Sequence, residues 1–262
     1  MGRLHVAVSV LPQKMIAQQI GGDLIDIQLI VKPGADPHTF DLTPKQLGDL
    51  KKADFYWSAA VSFEKGLISR LHEIYPNLKV IDAVHVASQL TSHDEEMHSH
   101  GEELDPHIWL SPQLNLAMAN QLRGYLSDLD PSNAFAYDKN YQTYAVKIAN
   151  LDQQIKDKLN KSHGRAFLVF HPAWGHFSEA YHLRQVAVEH EGKEPGAGYL
   201  GKLLQQMKQE KISIIIVQPY QDVRLAHVIA KEINAKLIIA DPLSATYLNE
   251  LLRVADILAE NN

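Results

Sequence analysis

The tripeptide Asp-Pro-His occurs twice in this chain, as Asp36-Pro37-His38 and Asp105-Pro106-His107. Proline fixes its own φ and pushes the residue before it out of the helical region, so each copy presents an imidazole from stiff, non-helical backbone. That is an effective way to hold a metal ligand. Two further residues stand in similar settings: His171, followed by Pro172, closes the apolar run AFLVF, and Asp241, followed by Pro242, closes KLIIA. His38 follows the run DIQLIV by a short loop, and His107 lies just before a helix start. Ligands of open α/β sheets sit outside the carboxyl ends of the strands. Three of these four residues fall there by sequence alone.

Three imidazoles and one carboxylate in a near-tetrahedral arrangement suit Zn²⁺. Imidazole also accepts Cu, Fe and Ni, while Mn²⁺ prefers more oxygen donors. Four protein ligands would leave no ordinary position for an activated water, so a closed site points to binding and an open three-ligand site to hydrolysis. A histidine after a strand ordinarily caps or hydrogen-bonds, and an isolated Asp-Pro is ordinarily a turn. The shared Asp-Pro context of His38 and His107, and the rigid His-Pro that interrupts an apolar strand, set these residues apart. His176 competes with His171 as a ligand but is expected on a helix surface. His5, His72, His85, His163, His182, His190 and His227 lack supporting context and read as structural or surface residues. The acidic loop carrying His93, His98 and His100 is an auxiliary set for weak capture of divalent cations, with a solvated acidic loop as its bland equivalent. Ordering such a loop costs entropy, so it would bind less tightly than a preformed core site.

With 262 residues, 45% hydrophobic and 21% charged, the chain has the composition of a globular protein with an ample core. A formal charge of −6 and the lack of any Lys/Arg-rich run argue against nucleic-acid binding. Cysteine is absent, which excludes disulfides, thiolate metal sites and cysteine nucleophiles, whereas there are 14 histidines. No apolar run approaches the roughly 20 residues that span a bilayer. The apolar segment Leu4 to Val10 begins almost at once, which suits a chain whose leader is missing. Walker A, GxGxxG, GxSxG and HExxH motifs are all missing.

Short apolar runs alternate with helical patterns throughout, which predicts parallel sheets covered by helices. Thr43-Pro44 and Ser111-Pro112 are expected helix starts, and Gly21-Gly22 an expected helix end. From Ser132 to about Asn160 there is no Pro or Gly, and Phe135, Tyr137, Tyr141, Tyr144, Ile148, Leu151, Ile155 and Leu159 recur at mostly helical spacing. Such a helix would run roughly 40 Å. The sequence therefore predicts an α/β protein of two (β/α) lobes with mostly parallel central sheets: 1–131, a long connecting helix over 132–160, and 161–262.

These segments resemble a known family, the metal-specific, zinc-type solute-binding proteins of ABC importers (cluster A-I). The pieces GADPHTFDLTP, LDPHIWLSP, FHPAWGHF, VQPYQD and ADPLSATYLNEL occur in the family's order and span nearly the whole chain. The resemblance implies two lobes joined by a long helix, with a metal held in the cleft between them. It implies no catalysis, a monomer that hands Zn²⁺ to an ABC permease membrane subunit, and no nucleic-acid partner. It also implies a periplasmic or extracytoplasmic location, with a membrane tether through the missing leader as one form of it. His38 and His107 match the family's first two histidines. His171 stands where zinc-type members have His and many manganese-type members have Glu, and Asp241 matches the last carboxylate. A manganese or iron(II) receptor of the same fold is the alternative, and a zinc-dependent hydrolase a more remote one. The His/acid loop is shorter and poorer in His than in many zinc-type members, and Gln218-Pro219-Tyr220 departs from their more usual Glu-Pro-Gln.

Overall fold

The computed structural model describes residues 2–87, 105–189, 196–221 and 223–260. The auxiliary histidines His93, His98 and His100, and His190, lie outside these residues. The chain divides into two compact units, Met1–Asn150 and Leu151–Asn262.

The first unit holds strands β1 (Leu4–Val8), β2 (Ile25–Leu29), β3 (Phe55–Ser58) and β4 (Lys79–Asp82) in the order β2-β1-β3-β4. All neighbours are parallel, with Val6 opposite Ile27 on one side and Phe55 on the other. Helices α1 (Leu11–Gly21), α2 (Pro44–Asp49) and α3 (Glu64–Ile74) fall between successive strands, as parallel pairing demands. The two central strands are apolar on both faces: Val6, Ala7, Val8, Phe55, Tyr56 and Trp57 are wholly buried. This is the continuous run expected of a strand covered on both sides.

Helix α1 starts at Leu11, and the Gln13 side chain does the capping. Its Oε1 accepts from the Ser9 and Val10 N–H groups at 3.0 and 3.3 Å, and its Nε2 donates to the Trp57 and Ser58 carbonyls at 3.0 Å each. One buried amide thus stitches the carboxyl ends of β1 and β3. Gly22 then leaves the helix at φ 53°, a conformation that suits glycine. Thr43 caps α2 as expected, its Oγ1 accepting from Gln46 N at 3.3 Å. Helix α3 carries no such mark in the sequence, since Phe63 stands at its N-cap without a capping side chain.

Helix α4 (Pro112–Leu129), capped by Ser111, precedes α5 (Ala134–Leu159), whose 26 residues run through the boundary between the units. Tyr137, Tyr144, Ile148, Leu151, Ile155 and Leu159 form its buried stripe, but Phe135 is 83% exposed, against the sequence expectation. Two residues before Tyr137 places Phe135 about 200° around the helix, on the opposite face.

The second unit holds β5 (Ala166–Val169), β6 (Arg184–Ala187), β7 (Ile214–Val217) and β8 (Lys236–Ile239), ordered β6-β5-β7-β8 and again parallel. Helices α6 (Gly175–Ala180), α7 (Ala197–Gln209), α8 (Val223–Ile233) and α9 (Tyr247–Glu260) complete it. Leu168, Val186, Ile215, Val217, Met207 and Ile229 belong to one core cluster. In each sheet the second strand pairs on one side of the first and the third on the other. The order reverses between β1 and β3, and between β5 and β7. No described helix is long and apolar enough to cross a membrane.

Candidate metal centre

In the first unit the two Asp-Pro-His steps fold alike. Asp36 Oδ1 accepts from His38 N at 2.9 Å, and Asp105 Oδ1 from His107 N at 2.9 Å. Each aspartate closes a local turn around its proline and so fixes where the next residue points. The rings are held differently. His107 Nδ1 lies 2.7 Å from the same Asp105 oxygen, whereas His38 Nδ1 lies 2.9 Å from Ser62 Oγ, in the segment between β3 and α3. An ionised carboxylate only accepts, so His107 carries its proton on Nδ1 in this arrangement. The two ring centroids are 6.0 Å apart, and His107 also meets the edge of Trp109 at 5.3 Å. His107 is 3% exposed, while His38 is half-buried and borders a cavity of about 480 Å³ also lined by Phe40, Ser62, Phe63 and Arg70.

The strip after His107 is anchored in turn. Asn115 Nδ2 donates to the Trp109 carbonyl at 3.2 Å, and Asn115 Oδ1 accepts from Tyr144 Oη at 2.7 Å. The loop that carries His107 is thereby tied to α4 and α5.

In the second unit His171 follows β5 and Asp241 follows β8, both beyond the carboxyl ends of their strands. His171 Nδ1 lies 2.9 Å from Glu189 Oε2. Asp241 Oδ1 accepts from Leu243 N at 2.9 Å, the same turn that Asp36 and Asp105 make. His176 lies within α6, mostly buried rather than on an open helix surface, and reaches toward Glu179 at 3.9 Å. His163 and His182 pack edge to face, with ring centroids 5.1 Å apart.

Ser62 and Glu189, which hold the rings of His38 and His171, carry no mark in the sequence. Glu189 stands two residues beyond β6, which ends at Ala187, and its side chain meets the His171 ring.

The family model for the periplasmic component A of zinc-uptake complexes, ZnuA, matches residues 6–261. The chain belongs to this family. As a ZnuA-family chain it is 27% identical over 254 residues to the zinc-binding lipoprotein AdcA of Streptococcus pneumoniae, covering 93% of itself and 51% of that protein. It thus spans about half the length of the pneumococcal relative. It is also 27% identical over 279 residues to the high-affinity zinc uptake system protein ZnuA of Bacillus subtilis, covering 99% of itself and 85% of that protein. A crystal structure of ZnuA superposes with a TM-score of 0.86 at 31% identity, covering 98% of each chain. The two α/β units with a long helix are therefore the family fold, and the family is that of a zinc-uptake component.

Burial raises the Asp241 carboxyl above its usual range; the Leu243 N–H opposes this and the charge of Glu250 adds to it. The folded chain then binds that proton more tightly than the unfolded chain, so stability falls as pH rises from the ordinary carboxylate value through the raised one. Asp241→Asn keeps the acceptor for Leu243 and removes the titration. The metal-free variant is expected to melt above the parent near neutral pH, with the gain vanishing below about pH 4. Thermal melts across this range check it, and a gain that persists in acid would contradict the assignment.

Proposed function

We propose that this chain is the receptor subunit of a high-affinity ABC-type importer that captures Zn²⁺ and delivers it to the membrane permease. The proposed ligands are His38, His107, His171 and Asp241. The observation that carries this reading is the way the three rings are held. Each has Nδ1 within hydrogen-bond distance of an oxygen, from Ser62, Asp105 and Glu189. Metal-ligating histidines are oriented in this manner, with the second ring nitrogen directed at the ion. A metal would therefore be taken on Nε2 of each ring.

Three imidazoles and one carboxylate favour Zn²⁺ over Mn²⁺, which prefers oxygen donors. The relatives named for zinc binding and zinc uptake support the same cargo. Four protein ligands close a tetrahedral site, which suits capture and release more than activation of a water. The chain works outside the cytoplasm, as a single copy, next to its permease. The His93, His98 and His100 loop is an auxiliary capture set.

Calorimetric titration at neutral pH is expected to give one tight Zn²⁺ site per chain. Mn²⁺ in excess is expected not to displace it. Affinity is expected to fall as pH drops below about 6, because imidazole binds metal only when neutral. Displacement of Zn²⁺ by Mn²⁺, or a tight site that survives replacement of His38, would sink the reading.

A further inference from the structure

We propose that Glu189, held in place by Gln221, is a positioning residue for His171; this rests on the reading of His171 as a ligand. The segment VQPYQD, which matches the family only in part, acquires a task from it.

The contacts form a chain of named atoms within the second unit. Glu189 Oε2 lies 2.9 Å from His171 Nδ1, and Glu189 Oε1 accepts from Gln221 Nε2 at 3.3 Å. Gln221 Oε1 accepts from Gln218 N at 3.1 Å. That last bond fixes which end of the Gln221 amide faces Glu189, because a backbone N–H can only donate. The backbone of Glu189 is fixed as well: its N–H donates to the Phe170 carbonyl at 3.0 Å, one residue before His171. Both of its carboxylate oxygens are therefore committed, one to the ring and one to the amide. The side chains of His171 and Glu189 are only 14% and 20% exposed, so water competes weakly for these bonds.

Topology explains why these residues meet. His171 follows β5, Glu189 follows β6 and Gln221 follows β7, and these strands are adjacent in the order β6-β5-β7. The order of the sheet reverses between β5 and β7, the place where open α/β sheets bind ligands. An ionised Glu189 requires the proton of His171 on Nδ1, which directs the lone pair of Nε2 outward. Gln221 acts on His171 only through Glu189.

The test uses the full chain and Zn²⁺ alone, with affinity read by competition against a chromogenic chelator. Glu189→Ala is expected to weaken Zn²⁺ binding about 10- to 100-fold. Gln221→Ala is expected to weaken it about 3- to 10-fold. The double variant is expected to bind no more weakly than Glu189→Ala, because two residues acting through one path are not additive. Glu189→Gln keeps the shape and can still accept from the ring, so it should fall between parent and alanine variant. Nitrogen-15 spectra of the metal-free protein supply a readout that mere destabilisation would not move. The His171 ring is expected as the Nδ1–H tautomer in the parent and as a mixture in Glu189→Ala. Parental affinity and tautomer in Glu189→Ala, with binding lost in His171→Ala, would overturn the positioning role alone. Additive losses in the double variant would overturn the relay through Gln221. Parental affinity in His171→Ala would instead overturn the ligand reading.

Discussion

Zn²⁺ binding is expected to weaken by more than about a hundredfold when His107 is replaced by alanine. Residues that merely orient a ligand contribute about 10- to 100-fold, so removal of the ligand itself should exceed that. His107 is the most firmly placed of the candidate ligands. It is 3% exposed, its N–H and its Nδ1 both engage Asp105, and its ring packs on Trp109. Asn115 then ties Trp109 to Tyr144 on α5. Little entropy is lost in presenting such a ring to an ion, so most of its interaction survives as affinity. Chelator competition measures the change, and an unaltered near-ultraviolet dichroism spectrum shows that the fold remains. A loss smaller than tenfold would remove His107 from the ligand set. Asp105→Ala should have a lesser effect of the same kind, since His107 would lose both bonds to Asp105 but keep its packing on Trp109.

Replacing Glu64 by alanine is expected to destabilise the first unit by about 3 kcal/mol or more, through lost hydrogen bonds and the cavity left behind. Glu64 is 1% exposed at the start of α3. Its Oε1 accepts from Tyr56 Oη at 2.8 Å and from Ser9 Oγ, and the Ala59 N–H reaches both carboxylate oxygens, at 2.9 and 3.1 Å. With the carboxylate gone, Ser9 and Tyr56 can still satisfy each other across their 2.6 Å contact, but Ala59 N–H has no such recourse. At about 2–4 °C per kcal/mol, the melting temperature should fall by about 6–12 °C. Burial pushes the Glu64 carboxyl above its ordinary range, with the donors around it opposing the shift. The folded state therefore favours the protonated form, and the contribution of Glu64 to stability diminishes as pH rises through that range. Glu64→Gln should accordingly cost less than Glu64→Ala and flatten the pH dependence. A drop in melting temperature under 2 °C for Glu64→Ala would contradict this account. The same carboxylate pins the segment that carries Ser62, so the variant should also loosen the hold on His38.

What can be read from the sequence is what depends on neighbours in the chain. The Asp-Pro-His turns are closed by a bond between residues two apart, so Asp36 and Asp105 are recognisable as loop-forming from residue order alone. The Thr43 cap, the glycine stop at Gly22 and the alternation of apolar runs with helical stretches are local in the same sense. Each is legible because a turn or a helix end draws on only a few residues. Phe135 shows the limit of such periodicity, since one apolar residue out of phase reads as part of a stripe that it does not join.

The groups that hold the rings of His38 and His171 are not legible in this way, and tertiary structure alone decides them. Ser62 lies 24 residues from His38, Glu189 lies 18 from His171, Gln221 lies 32 from Glu189, and Ser9 lies 55 from Glu64. No periodicity links positions so far apart. They meet because parallel strands align their carboxyl ends, and the orders β2-β1-β3-β4 and β6-β5-β7-β8 determine which ends are adjacent. Both units adopt one strand order without a sequence repeat, since packing a parallel sheet between helices constrains topology far more than it constrains residue identity. The sequence alone determined which side chains could bind a metal. Only the strand order determined which oxygen orients the rings of His38 and His171, because that depends on through-space neighbours that chain distance does not encode.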